Sequence, residues 1–221
     1  SMLLFFKVFV AGIAFGLIGW VFSRSIVFLK ARYAQWIPHP VWRNTIGGAV
    51  VVAAALILQT QRYLGLSLPL LQESFNGQAH AYDFIGKLFF TVLSLGAGYQ
   101  GGEVTPLFEI GATLGAVLAP LLHVSVPFLA GLGFIGVFSG ATNTPIACFV
   151  MGIELFGSQA AVYFFMICLI SFMCSGNSGI YSAQQVAVKK GILFLPIVKR
   201  IKEKTRCDIC FVTPWFFRKV K

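Results

Sequence analysis

The chain has 221 residues, of which 57% are hydrophobic and only 11% charged, and its mean hydropathy of +0.84 is more than one water-soluble core of this size can absorb. Lipid is therefore the expected solvent for most of it, and the 23 phenylalanines suit lipid-facing helices. The net charge of +10 does not point to nucleic acid, because Lys and Arg fall between or beyond the apolar runs and form no single basic stripe. The positive-inside pattern accounts for them: Lys30, Arg32 and Arg43 flank the first connection and a basic cluster crowds 189–221, which puts both regions, and the carboxy terminus, on the cytoplasmic side of the plasma (inner) membrane.

In chain order, the first apolar run extends from about Leu3 to Leu29, longer than the roughly 20 residues that cross a bilayer. It has no small-residue cleavage site of a signal peptide. Gly12, Gly16 and Gly19 have the spacing that lets a neighbouring helix come close. A loop with Trp36, Pro38, His39, Pro40 and Trp42 is expected to end it, followed by a second apolar helix over Ile46 to Leu58. The more polar stretch from Thr60 to Asp83 reads as a connection with a short helix near Leu66 to Leu71.

From Phe84 onward the apolar pieces shorten and alternate with glycine-rich polar breaks. Phe84 to Leu95 leads into Gly96 to Pro106, then Leu107 to Leu122 is apolar, with neither piece comfortably a full span. Phe128 to Phe138 leads through Ser139 to Pro145 into Ile146 to Phe156. Ala160 to Met173 leads through Ser175 to Tyr181 into a last amphipathic segment near Val188. Short apolar pieces broken by glycine and proline are the pattern of helices that stop at membrane depth, where bare backbone is tolerated only if it is buried or lines a cavity. The stretch after Gly191 is basic and partly apolar, with Ile192 to Val198 and Phe211 to Phe217 read as surface-lying.

The breaks are where chemistry is expected. Thr105-Pro106 reads as a helix start, with threonine as N-cap and proline at the first helical position. A helix start inside the membrane presents unpaired N–H groups and a partial positive charge, hence an anion site. Thr144-Pro145 repeats the signal without an acidic neighbour and reads as architecture. Glu103 is costly in an apolar setting, by roughly 2.5–3.5 kcal/mol on insertion scales, and so should face a cavity, a partner or a proton path. Glu109 stays open between a charge facing a vestibule or a neighbouring subunit and a structural one, while Glu154 reads as structural and Lys87 as a packing or interface charge. Tyr181 is open between an interfacial tyrosine and a hydroxyl donor to an ion.

The five cysteines form no disulfide framework, and the Cys207/Cys210 pair lacks the further ligands of a zinc site. No metal site and no cofactor are expected. There is no H-E-x-x-H and no glycine-flanked serine with a plausible base, so neither an intramembrane metalloprotease nor a serine hydrolase is supported, and the chain does not read as an enzyme.

The run Gly101-Gly102-Glu103-Val104-Thr105-Pro106-Leu107-Phe108, followed by Ile110-Gly111-Ala112-Thr113-Leu114-Gly115, resembles the G-x-F-x-P anion-binding loop and helix of the CLC chloride channel and transporter family. The later order, Ser139-Gly140-Ala141 with Thr144-Pro145 and then Ser178-Gly179-Ile180-Tyr181, is similar too, so the resemblance reaches to about Lys190. The G-E-V-T-P variant is similar to the bacterial clade that exchanges fluoride for protons.

The resemblance implies an all-α polytopic membrane protein with broken and re-entrant helices. Residues 1–190 would form the second, inverted-repeat half of a CLC-type fold and 191–221 a basic cytoplasmic tail. It implies fluoride or chloride and protons as transported species, membrane lipid as surroundings and a homodimer as the assembly. Gly102, Glu103, Val104, Thr105 and Tyr181 would line the ion path, with Pro106 at the helix start and Val104 offering its backbone N–H. The first half of such proteins carries a G-x-x-x-P loop and a gating-glutamate loop, neither of which occurs here. The chain therefore reads as the carboxy-terminal half of a fluoride/proton antiporter, needing an amino-terminal half to enclose the ion. The alternatives are a chloride channel or chloride/proton exchanger, and a transport-incompetent scaffold or partial subunit.

Overall fold

The computed structural model describes residues 2–99, 101–176 and 179–181. The expectations for the segment near Val188, the basic stretch 191–221, Ser178 and the Cys207/Cys210 pair lie outside the described residues. Within them the chain is all-α: α1 Met2–Trp36, α2 Pro40–Ile57, α3 Leu68–Phe75, α4 Asp83–Ala97, α5 Val104–Leu122, α6 Val126–Thr142, α7 Pro145–Phe156, a 3-10 turn Ser158–Ala160 and α8 Ala161–Cys174.

Three of these, α1, α2 and α5, are long and apolar enough to cross a membrane. Several ends differ from the sequence expectation. α1 continues to Trp36 because nothing before Pro38 disfavours the helical backbone, and α2 starts at Pro40, whose fixed φ suits a first helical position; Trp42 is therefore helical. α5 gains Val104, Thr105 and Pro106, which lengthens it to 19 residues and makes it a candidate span where only a short piece was expected.

Close approach of helix backbones positions the site. α5 and α6 form an antiparallel hairpin in which Gly111 lies against the carbonyl of Gly133, and Gly115 against Leu129 and Ala130. A side chain at either position would stand in the opposite backbone, so only glycine permits this packing. Gly12, Gly16 and Gly19 of α1 serve as expected: Gly12 faces Ile167 and Ile170, Gly16 faces Ser171 and Cys174 of α8, and Gly19 faces Val137 and Ala141 of α6. Phe15, Phe22, Leu107, Ile110, Leu132, Ile135 and Ile167 fill the core between these helices. Because lipid tails are as apolar as these side chains, it is packing and not water exclusion that holds them.

A separate polar knot ties the connection between α2 and α4. Asp83, 0% exposed, accepts hydrogen bonds from the His80 backbone N–H at 2.8 Å, the Tyr63 hydroxyl at 2.8 Å and Arg62 at 3.1 Å, and Arg62 also pairs with Glu73. Burial, with the Asp83 carboxylate beside it, holds the Tyr63 phenol well above its usual pKa. Asp83→Asn is expected to cost about 2 kcal/mol, the worth of hydrogen bonds to a charged group. Thermal unfolding in detergent checks it, with a fall of roughly 4–8 °C in the midpoint.

Candidate functional site: the start of α5

α4 ends at Ala97 with Gly98 in the left-handed region at φ 104, a backbone that favours glycine. The Tyr99 hydroxyl donates to the Asn44 carbonyl at 2.9 Å, and the Arg43 and Asn44 side chains lie against Gly98, which anchors this end of α4 to the start of α2. Gly101 and Gly102 are exposed, and a Cβ on either would meet nothing within 4 Å. The backbone ahead of α5 is therefore open to approach.

Glu103, not Thr105, is the N-cap of α5, at φ −79 and ψ −17, and it makes no side-chain capping bond. This corrects the expected start by two residues. Pro106 falls at the third helical position and still costs nothing there, because the first four N–H groups of a helix have no intrahelical acceptor. Val104 and Thr105 are half-buried and Pro106 is buried. The Glu103 carboxylate lies 3.8 Å from Lys30 Nζ of α1, with the lysine side chain 47% and the glutamate 20% exposed, so the pair is loose and solvated. Lys30 was legible only as a flanking charge. Together the first turn presents bare N–H donors, the Thr105 hydroxyl, a carboxylate and a cation around open glycine backbone.

The hairpin register brings the other breaks to the same end. Because α6 runs antiparallel to α5, its carboxy terminus at Thr142 and the start of α7 at Pro145 lie toward the beginning of α5. The Ile180 N–H donates to the Ala141 carbonyl at 3.1 Å, which brings 179–181 beside the end of α6. Tyr181 is 45% exposed, and among the described residues no hydrogen bond or ion pair joins it to Glu103 or Thr105. The structure thus places 179–181 at the same end of the hairpin as the α5 start.

Thr144 is the N-cap residue of α7 with Pro145 at the first position, as expected. Its hydroxyl is engaged with Thr142 Oγ1 at 2.7 Å and Cys148 Sγ at 3.4 Å, an arrangement consistent with architecture. Glu154 is exposed. Among the described residues no cluster of three or more His, Cys, Asp or Glu could hold a metal ion.

Sequence reasoning missed one pairing. Lys87 of α4 and Glu109 of α5, 1% and 0% exposed, form an ion pair at 2.7 Å. The signal was present: Lys87 is the single Lys or Arg between Asp83 and Val188, and an isolated cation and anion on consecutive apolar helices are expected to find each other.

Comparison with known proteins bears on this arrangement. Residues 1–176 match the profile of the voltage gated chloride channel family. A chloride/fluoride channel protein of Pseudomonas syringae pv. tomato is 43% identical over 199 residues, 87% of this chain and 44% of that protein. The H(+)/Cl(-) exchange transporter ClcA of Vibrio campbellii is 24% identical over 157 residues, 65% of this chain and 34% of that protein. The crystal structure of a CLC-type fluoride/proton antiporter superposes with a TM-score of 0.81 at 38% identity, covering 84% of this chain and 47% of that one. The chain spans less than half the length of these relatives. With apolar helices of spanning length and a glycine-bounded helix start of the expected pattern, this membrane protein belongs to the voltage gated chloride channel family, the CLC family.

Proposed function

We propose that this chain supplies the carboxy-terminal half of an anion pathway that exports fluoride in exchange for protons. The single observation that carries the reading is the start of α5: open glycine backbone at Gly101 and Gly102, Glu103 at the N-cap, and the first-turn N–H groups of Val104 and Thr105, which have no intrahelical acceptor. Val104 offers its N–H to a partly dehydrated anion, the Thr105 and Tyr181 hydroxyls donate to it along the path, and Glu103 is the carboxylate that carries or gates charge beside it. The G-E-V-T-P pattern and the similarity to a fluoride/proton antiporter support fluoride over chloride, while the similar chloride/fluoride channel names both ions.

On this reading the protein is a transporter and not an enzyme, and an amino-terminal half encloses the ion from the other side. Two such units pair as a homodimer in the plasma membrane, with the carboxy terminus cytoplasmic. A chloride channel or chloride/proton exchanger is the second reading, favoured by the similarity to a chloride exchanger. Liposomes loaded with equal fluoride and chloride and containing the complete protein separate the two: fluoride release at least tenfold faster than chloride release is expected, and preferential chloride release would overturn the fluoride assignment.

A further inference from the structure

Outside the anion site, Lys87 and Glu109 form an ion pair in which both side chains are buried. Burying two charges is expensive and is offset only when both are well paired. Lys87 meets that condition: its ammonium donates to the Gly65 carbonyl at 2.8 Å and to Ser67 Oγ at 2.9 Å, and lies 2.7 Å from Glu109 Oε2. Glu109 does not, since its Oε1 is buried with no hydrogen-bond partner among the described residues. A carboxylate held by one cation alone is a poor general-purpose staple, yet it fixes one thing well, the position of its own helix relative to that cation.

What the cation is anchored to matters as much. Ser67 sits in the left-handed region at φ 43 and ψ 38, a conformation that is strained for a non-glycine residue and persists only where the surroundings enforce it. Its hydroxyl donates to the Leu64 carbonyl at 2.9 Å while accepting from Lys87. It also opens α3, which packs on α5 and α6. Lys87 therefore joins three elements: the 64–67 turn, α4 and α5. Glu109 lies six residues beyond Glu103 on one continuous helix, roughly 9 Å along its axis, so a slide or rotation at Glu109 is carried rigidly to the first turn.

We propose that Lys87 and Glu109 are positioning residues for the anion site: the pair, anchored through Ser67, sets how far the first turn of α5 projects into the pathway. The inference rests on the reading of the α5 start as an anion site. Two readouts on the complete protein in liposomes or detergent test it. Glu109→Gln is expected to raise the fluoride concentration for half-maximal flux by about tenfold while the maximal rate stays within twofold. It should also speed amide hydrogen exchange in the 104–110 stretch without changing that of 129–137 in α6. Ser67→Ala, which leaves both charges in place, is expected to give the same signature at about threefold, and it decides the matter if the Gln variant does not assemble.

Unchanged half-saturation in both variants, or exchange that rises equally in α5 and α6, would overturn the proposal and leave the pair as structural glue. If the unsubstituted protein moves no fluoride, the transport reading fails instead, and the exchange experiment still tests whether the pair positions the helix.

Discussion

Glu103→Gln in the complete protein is expected to lower fluoride-dependent flux by at least about tenfold while leaving assembly intact. The amide keeps the size and shape of the side chain and removes only its charge and its capacity to bind and release a proton. Interactions involving a charged group contribute roughly 1.5–3 kcal/mol, and 1.4 kcal/mol is a factor of ten. Folding should be indifferent, since Glu103 makes no capping bond and its 3.8 Å pairing with the half-exposed Lys30 is of the solvated kind worth about 0–1 kcal/mol. The measurement is fluoride efflux and accompanying proton movement from liposomes, with the elution profile as control. Unchanged flux with unchanged proton coupling would return Glu103 to a merely structural role.

The second large effect concerns folding. A Cβ at Gly111 would fall on the Gly133 carbonyl oxygen, and one at Gly133 on the Gly111 carbonyl. These are backbone atoms on two helices, so no rotamer change relieves the overlap and the hairpin has to spread. Overpacking of a core commonly costs 1–3 kcal/mol, and a backbone-on-backbone clash belongs above that range, so Gly111→Val is expected to abolish recovery of folded protein from membranes. Gly131→Ala provides the control, since a Cβ there meets Phe156 at an ordinary 3.5 Å or more. Normal yield of Gly111→Val would mean that α5 and α6 do not pack through these glycines.

Most of the helices were legible because apolar runs and proline or glycine breaks are local signals. Pro145 starts α7 where the Thr144-Pro145 pair said it would, and the α1 glycines meet α6 and α8 as their spacing implied. The ends that moved did so for reasons invisible in hydropathy. Proline is tolerated throughout the first helical turn, so Pro106 marks the first turn of α5 without marking its first residue. Side-chain pairings were legible at most as isolated charges on consecutive apolar helices, without their geometry. Lys87 meets Glu109 only because the packing of α4 on α5 places them level. The proximity of Tyr181 to the α6 terminus likewise depends on one backbone hydrogen bond from Ile180. For the site, residue types, their break and the bare glycine backbone before it could be read from the chain, whereas the Lys30 neighbour and the N-cap role of Glu103 emerged only from the packing.

On the proposed reading the first turn of α5 receives the anion through backbone N–H groups, and the Val104 amide reports on it most directly. In the complete protein labelled with ¹⁵N-valine, the Val104 amide resonance is predicted to shift saturably with fluoride, at concentrations that match the half-saturation of flux. A Val104 resonance that stays fixed across the range in which fluoride transport saturates would contradict it.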